Sequence, residues 1–197
     1  LGSGKTTFLR QLMRRQAGRR FVYLVNDFSA LDVDAQLLGE GGGDILSIPG
    51  GSIFCRCLAG EFIRVLHEVS NQAERPVPEL VLIEASGIAD PRVIVQMLEE
   101  TRLDQTYVLS RVVSVVDPGS FLALIETLPN IIAQVEASDL VLINKTDLYD
   151  NEQLDDCETL IRQINPSAQL LRTQYCRTKF EWFTEPARAG GLIRERS

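Results

Sequence analysis

Leu1-Gly2-Ser3-Gly4-Lys5-Thr6-Thr7 opens the chain and decides its architecture. Gly2 to Thr6 matches the last five positions of the pattern GxxxxGK[ST], a glycine-rich loop that runs into a helix. Glycine at such places lets the backbone wrap an anion, with N–H groups turned inward. The helix that follows adds the positive end of its dipole. In that chemistry Gly2, Ser3, Gly4, Lys5, Thr6 and Thr7 cradle phosphates. Lys5 reaches the β- and γ-phosphates, and the Thr6 hydroxyl ligates Mg²⁺. A glycine-rich turn ahead of an ordinary amphipathic helix is the competing reading. The first glycine of the pattern, and the strand that normally precedes it, would lie before Leu1. Such a strand is usually central, so the chain by itself is expected to be poorly stable.

Outward from the loop, apolar runs alternate with segments of helical period. Strands are predicted at Arg20–Asn26, Glu79–Ala85, Tyr107–Asp117 and Asp139–Asn144, with a shorter candidate at Ala168–Arg172. They are rich in Val, Ile and Leu without clean alternation, as strands covered on both faces are. Helices are predicted at Lys5–Gln16, Cys57–Ala73, Pro91–Glu100 and Asn151–Ile164. Asp90 reads as an N-cap with Pro91 at the first helical position. Repeated strand–helix–strand order predicts an α/β fold: a three-layer P-loop NTPase domain with a mostly parallel sheet, lacking its first strand in this chain. Residues 1–184 are assigned to that domain, and 185–197 to a tail or the start of a further domain.

Two more motifs fall at predicted strand ends. Glu84-Ala85-Ser86-Gly87 reads E-x-x-G after the run ELVLI. Glu84 would contact the Mg²⁺ shell, and the Gly87 N–H would reach the γ-phosphate, since glycine admits close approach. Ordinary capping at a strand end gives the same pattern. Asn144-Lys145-Thr146-Asp147 reads N-K-x-D. There the Asp147 carboxylate accepts guanine N1–H and the 2-amino group, a donor pair adenine lacks. Lost charge-assisted bonds of this kind cost about 1.5–3 kcal/mol each, enough to discriminate bases. Lys145 covers the base plane and Asn144 ties loops together. A polar turn after a strand is the plain alternative. The order of the three motifs, each at a strand end, favours a GTP site at the carboxyl edge of a parallel sheet.

Composition narrows the rest. The formal net charge of −7 argues against broad nucleic-acid binding, which needs a basic surface. No apolar run is long enough for a membrane span, and no secretion signal is visible, so a cytoplasmic location is expected. Four cysteines, Cys55, Cys57, Cys157 and Cys176, then read as reduced thiols or metal ligands.

The sequence resembles the CobW-like GTPases, relatives of the urease and hydrogenase nickel-insertion GTPases. The likeness rests on LGSGKTTFL at residues 1–9, Val25-Asn26-Asp27-Phe28, and Ile83-Glu84-Ala85-Ser86-Gly87-Ile88-Ala89-Asp90-Pro91. Val115-Val116-Asp117 and the run from Ala137 through Asn144-Lys145-Thr146-Asp147-Leu148 extend it. The resemblance implies GTP hydrolysis coupled to delivery of a metal, Zn²⁺ or Co²⁺, to a client metalloprotein. It also implies that a partner or a nucleotide-dependent homodimer completes the site. With no evident water-activating base, intrinsic turnover is expected to be slow, with Lys5, Thr6, Glu84 and Gly87 as the catalytic set.

The cysteine motif departs from the family. The family's Cys-x-Cys-Cys is here Gly50-Gly51-Ser52-Ile53-Phe54-Cys55-Arg56-Cys57. A Cys-x-Cys pair suits Zn²⁺ or Cu(I), but two thiolates do not close a tetrahedral site. Asp27 is the candidate further ligand, ahead of His67, which reads as a surface or packed residue. Metal binding and plain packing both stay open for Cys55 and Cys57. The rival functions are a nucleotide-gated regulatory or scaffold GTPase without metal cargo, and an ATP-dependent kinase or transferase.

Overall fold

Phe21–Val25 (β1) is a run of large apolar residues, and Phe21, Val22, Tyr23 and Leu24 are each at most 2% exposed. Burial of successive residues means that both faces of the strand are covered, the pattern of a parallel sheet. β1 is the middle strand between Asp44–Ser47 (β2) and Leu80–Glu84 (β3), and both pairings are parallel. The register sets Tyr23 opposite Leu82 and Val25 opposite Glu84. The computed structural model describes residues 2–15, 20–25, 44–47, 59–71, 77–84, 91–125 and 127–179. The chain divides into two compact units: Lys5–Thr106, which holds this first sheet, and Tyr107–Ser197 with Leu1–Gly4.

The helices of the first unit follow their apolar spacing. Lys5–Arg15 (α1) buries Phe8, Leu9, Leu12 and Met13, while Arg14 and Arg15 in its last turn complement the helix dipole. Ala59–Ser70 (α2) buries Phe62, Val65, Leu66 and Val69, a spacing of three and four residues. Complete burial of Phe62 contributes about 2–3 kcal/mol. His67 on the same helix is exposed. Arg92–Glu100 (α3) starts from Pro91 in the N-cap position, not in the first helical position. The predicted cap, Asp90, lies outside the described residues.

In the second unit Val113–Val116 (β4), Leu140–Ile143 (β5) and Gln169–Arg172 (β6) form a parallel sheet with β5 central. All four residues of β5 are fully buried. The strand predicted over Tyr107–Asp117 is shorter than expected, because β5 offers no partner before Leu140, which pairs with Val113. Asp139 closes that end: its Oδ2 accepts the Val112 N–H at 2.7 Å, and its own N–H donates to Val112 O at 2.9 Å.

Two helices unforeseen from the sequence, Pro118–Leu124 (α4) and Pro129–Glu136 (α5), connect β4 to β5, each with proline at its first position. Asn151–Ile164 (α6) connects β5 to β6 and starts with a capping box between Asp150 and Gln153. One core unites them: Val116, Phe121, Ile125, Val135, Val141, Ile143, Leu154, Cys157, Ile161 and Ala168. Asn165, 1% exposed, holds the far end together. Its Nδ2 donates to the carbonyls of Val135, Glu136 and Ser138, and its Oδ1 accepts from the N–H groups of Ser167 and Ala168.

Candidate functional site

Glu84 ends β3 and Asn144 follows β5, so two of the three motifs fall at the carboxyl ends of parallel strands. In the first unit Lys5 and Thr6 form the first turn of α1, both half-buried, and no residue of that turn is acidic. The first turn of a helix offers an anion N–H groups and the positive end of the helix dipole. Glu84 is the last residue of β3. Its Oε2 accepts a hydrogen bond from the hydroxyl of the fully buried Tyr23. Burial, then this hydrogen bond to Glu84, hold the Tyr23 hydroxyl protonated far above the usual tyrosine range. Tyr23 is therefore a permanent donor to Glu84.

In the second unit the loop glycines meet the N-K-x-D segment. Gly2 and Gly4 have φ of 77° and 112°, a region that side chains disfavour. Among the described residues nothing lies within 4 Å of a Cβ on Gly2. A Cβ on Gly4 would strike Asn144 Nδ2 at 2.5 Å and Cys176 Sγ at 3.1 Å. Asn144, 3% exposed, follows β5 and spends its whole side chain on structure. Nδ2 donates to Ser3 O at 2.8 Å. Oδ1 accepts the Cys176 N–H at 2.8 Å and the Thr173 hydroxyl at 3.2 Å. The Cys176 thiol donates to Gly4 O at 3.4 Å. Tyr175 and Cys176 reach this position through left-handed backbone, φ 53° and 55°.

Lys145 also has left-handed backbone, φ 62°. Its Nζ donates to Asp117 Oδ2 at 2.5 Å, and the Tyr149 hydroxyl donates to Asp117 Oδ1. Burial pushes the Asp117 carboxyl up, but the hydrogen bonds from Lys145 and Tyr149 and the Lys145 charge outweigh it and hold it below the usual range. The same contact with Asp117 raises Lys145. Asp147 lies in the short 3₁₀ turn Thr146–Leu148 and is exposed.

The structure thus brings Ser3 and Gly4 against Asn144, and leaves Asp147 open to solvent. Gly87, Asp27, Cys55 and Cys57 lie outside the described residues. Among the described residues no group of three or more His, Cys, Asp or Glu side chains is placed to hold a metal ion. Nor is any described helix long and apolar enough to cross a membrane. The sequence offered no signal for the parts played by Tyr23, Tyr149, Thr173 and Cys176. Asp117 was visible only as part of the run Val115-Val116-Asp117.

Comparison with known proteins bears on the family and the fold. The chain is 28% identical to the zinc-regulated GTPase metalloprotein activator 1 of Dictyostelium discoideum, across 88% of this chain and 44% of that protein. It is 30% identical to the zinc chaperone CobW of Pseudomonas aeruginosa, across 78% of this chain and 48% of that protein. The Zn(II)-bound YjiA GTPase from E. coli superposes with a TM-score of 0.65 at 26% identity, across 87% of this chain and 54% of that one. The chain spans about half the length of these relatives. A family model described as CobW/HypB/UreG, nucleotide-binding domain, matches residues 1–172. The α/β fold with parallel sheets and this match over most of the chain place it in the CobW/HypB/UreG nucleotide-binding family.

Proposed function

We propose that the chain binds and hydrolyses GTP, and that its nucleotide state governs delivery of a metal, Zn²⁺ or Co²⁺, to a client metalloprotein. The observation that carries this reading is the Asn144 amide. It joins Ser3 of the glycine loop to the segment that bears Lys145 and the exposed Asp147. Positive-φ backbone at Gly2 and Gly4, and a first helical turn free of acids, fit a phosphate chain and a hard cation. Thr6 and Glu84 would hold Mg²⁺, which when bound supplies charge neutralisation at the β- and γ-oxygens.

In this reading Lys5 and the loop N–H groups stabilise charge as water attacks the γ-phosphate in line, releasing GDP and inorganic phosphate. Asp147 selects guanine, and the Gly87 N–H senses the γ-phosphate. Turnover is slow without a partner, for which a nucleotide-dependent homodimer is the candidate. The cargo metal is taken by Asp27, Cys55 and Cys57. The relatives, a zinc chaperone and a zinc-regulated GTPase metalloprotein activator, support the same direction.

The test is nucleotide affinity with Mg²⁺. GTP should bind in strong preference to ATP, and Asp147→Ala should abolish that preference. Equal binding of both nucleotides by the unaltered protein would overturn the reading. Zinc titration of a Cys55→Ala, Cys57→Ala variant should show weaker binding than the parent, and identical binding would remove those thiols from the cargo site.

A further inference from the structure

The Lys145 ammonium is held by a buried carboxylate, and that carboxylate is itself held on its other oxygen. Asp117 is 7% exposed, whereas the Lys145 side chain remains 33% exposed. The parallel register places Val116 opposite Ile143, so Asp117 and Asn144 leave the sheet side by side, with Lys145 one residue further. Asn144 N–H donates to Val116 O at 2.8 Å, which fixes the offset. Lys145 therefore turns its ammonium back to the end of β4.

The second oxygen of Asp117 accepts the Tyr149 hydroxyl, and the seat for Tyr149 is built into α4. A Cβ on Gly119 would meet the Tyr149 hydroxyl oxygen at 2.8 Å and a ring carbon at 3.0 Å. Glycine at that position is what lets the ring come in. The ring also packs on the core beneath α4 and α6. Asp117 thus has no free rotation: one oxygen goes to the cation and one to a phenol fixed by packing. A bond between ionised partners in such a setting is short and directional.

We propose that Asp117, braced by Tyr149 over Gly119, is a positioning residue that pins the Lys145 ammonium so that its stem is presented as a fixed apolar cover for a purine ring. This rests on the guanine-site reading given above and adds to it a residue set that sets affinity without setting base choice. A pinned stem loses little rotamer freedom when a base stacks on it, and ordering a long side chain otherwise costs affinity. A stem contact is blind to purine substituents. Loss of the clamp therefore weakens guanine and hypoxanthine nucleotides alike, whereas loss of Asp147 changes the preference between them.

The experiment follows release of a fluorescent GDP, with GTP and ITP as competitors, and melting without nucleotide. Lys145→Met and Asp117→Asn should each speed release roughly tenfold. The double variant should be no faster than Lys145→Met, and every variant should keep the parent's ratio of GTP to ITP affinity. Release unchanged in Asp117→Asn, or an Asp117→Asn effect that persists in full in the Lys145→Met background, would overturn the proposal. Should Asp117→Asn not fold, Tyr149→Phe and Gly119→Ala take its place: faster release with the ratio kept supports the clamp, and parental release in both overturns it. A parent protein that binds no GDP would instead bring down the guanine-site reading, and the clamp with it.

Discussion

Asn144 bonds to Ser3, a residue 141 positions earlier in the chain, through a single side-chain amide 2.8 Å from the Ser3 carbonyl. The other end of the same amide takes the backbone N–H of Cys176. A buried amide with both ends used is a structural part first and a ligand contact second.

Asn144→Ala and Asp147→Ala should therefore separate. The first leaves the Ser3 carbonyl and the Cys176 N–H without their partner, at a cost of about 2–3 kcal/mol, or roughly 4–12 °C in melting temperature. The second removes an exposed carboxylate and should move stability by less than about 0.5 kcal/mol. Thermal melts without nucleotide check both. Equal losses in the two variants would contradict the division of labour.

The Asp117–Lys145 pair sets a pH signature. Asp117 is held below its ordinary value of 3.8, so its contribution is complete above that value and is lost as pH falls through the lower folded one. Lys145 is held above its ordinary 10.5, so its contribution is complete below that value and is lost as pH rises through the higher folded one. The difference in melting temperature between the parent and Asp117→Asn should stay flat from about pH 5 to 9 and shrink below about pH 4. A difference already fading at pH 6 would mean another group is involved.

Tyr23→Phe removes the only atom by which the β1 core touches the Glu84 carboxylate among the described hydrogen bonds. Stability should fall by about 1–2 kcal/mol. Under the proposed Mg²⁺ role of Glu84, the Mg²⁺ concentration needed for half-maximal GTP binding should also rise. Titration with Mg²⁺ at fixed nucleotide reads the second effect apart from the first.

Cys157 tests the core. It is fully buried within the cluster under β5, and burial pushes its thiol up to about 12. It should resist alkylation at pH 8 until the protein unfolds. Cys157→Ser places a hydroxyl among apolar side chains and should cost about 1–3 kcal/mol. Rapid labelling in the folded state would show that this core opens locally.

What the sequence revealed divides along a physical line. β1, β3, β5 and α6 were legible because their apolar runs and cap residues act locally; Asn151–Ile164 falls where the pattern places it. Residues 107–112 mimic a strand in composition but lie beyond the start of β5, and ladder pairing depends on a partner's length, which no local window contains. The prolines that start α4 and α5 are local signals, but each helix is too short for its apolar period to stand out. The site divides in the same way. Lys5, Thr6, Glu84, Asn144 and Asp147 announce themselves by motif. Tyr149 meets Asp117 across 32 residues and Cys176 meets Gly4 across 172, and no periodicity links such pairs.

The two loop glycines answer to unlike demands. Gly2 is constrained by its backbone angle, since among the described residues nothing lies within 4 Å of where a Cβ would sit. Asparagine, which enters the left-handed region more readily than other residues with a side chain, is thus a conceivable occupant there. Gly4 needs both its angle and the empty volume, because the Asn144 amide already fills the place of a methyl group. Position 4 can change only if position 144 shrinks and gives up its hold on Ser3. The volume at position 4 is thus shared with position 144, whereas position 2 answers to its backbone angle and to the phosphate it is proposed to wrap.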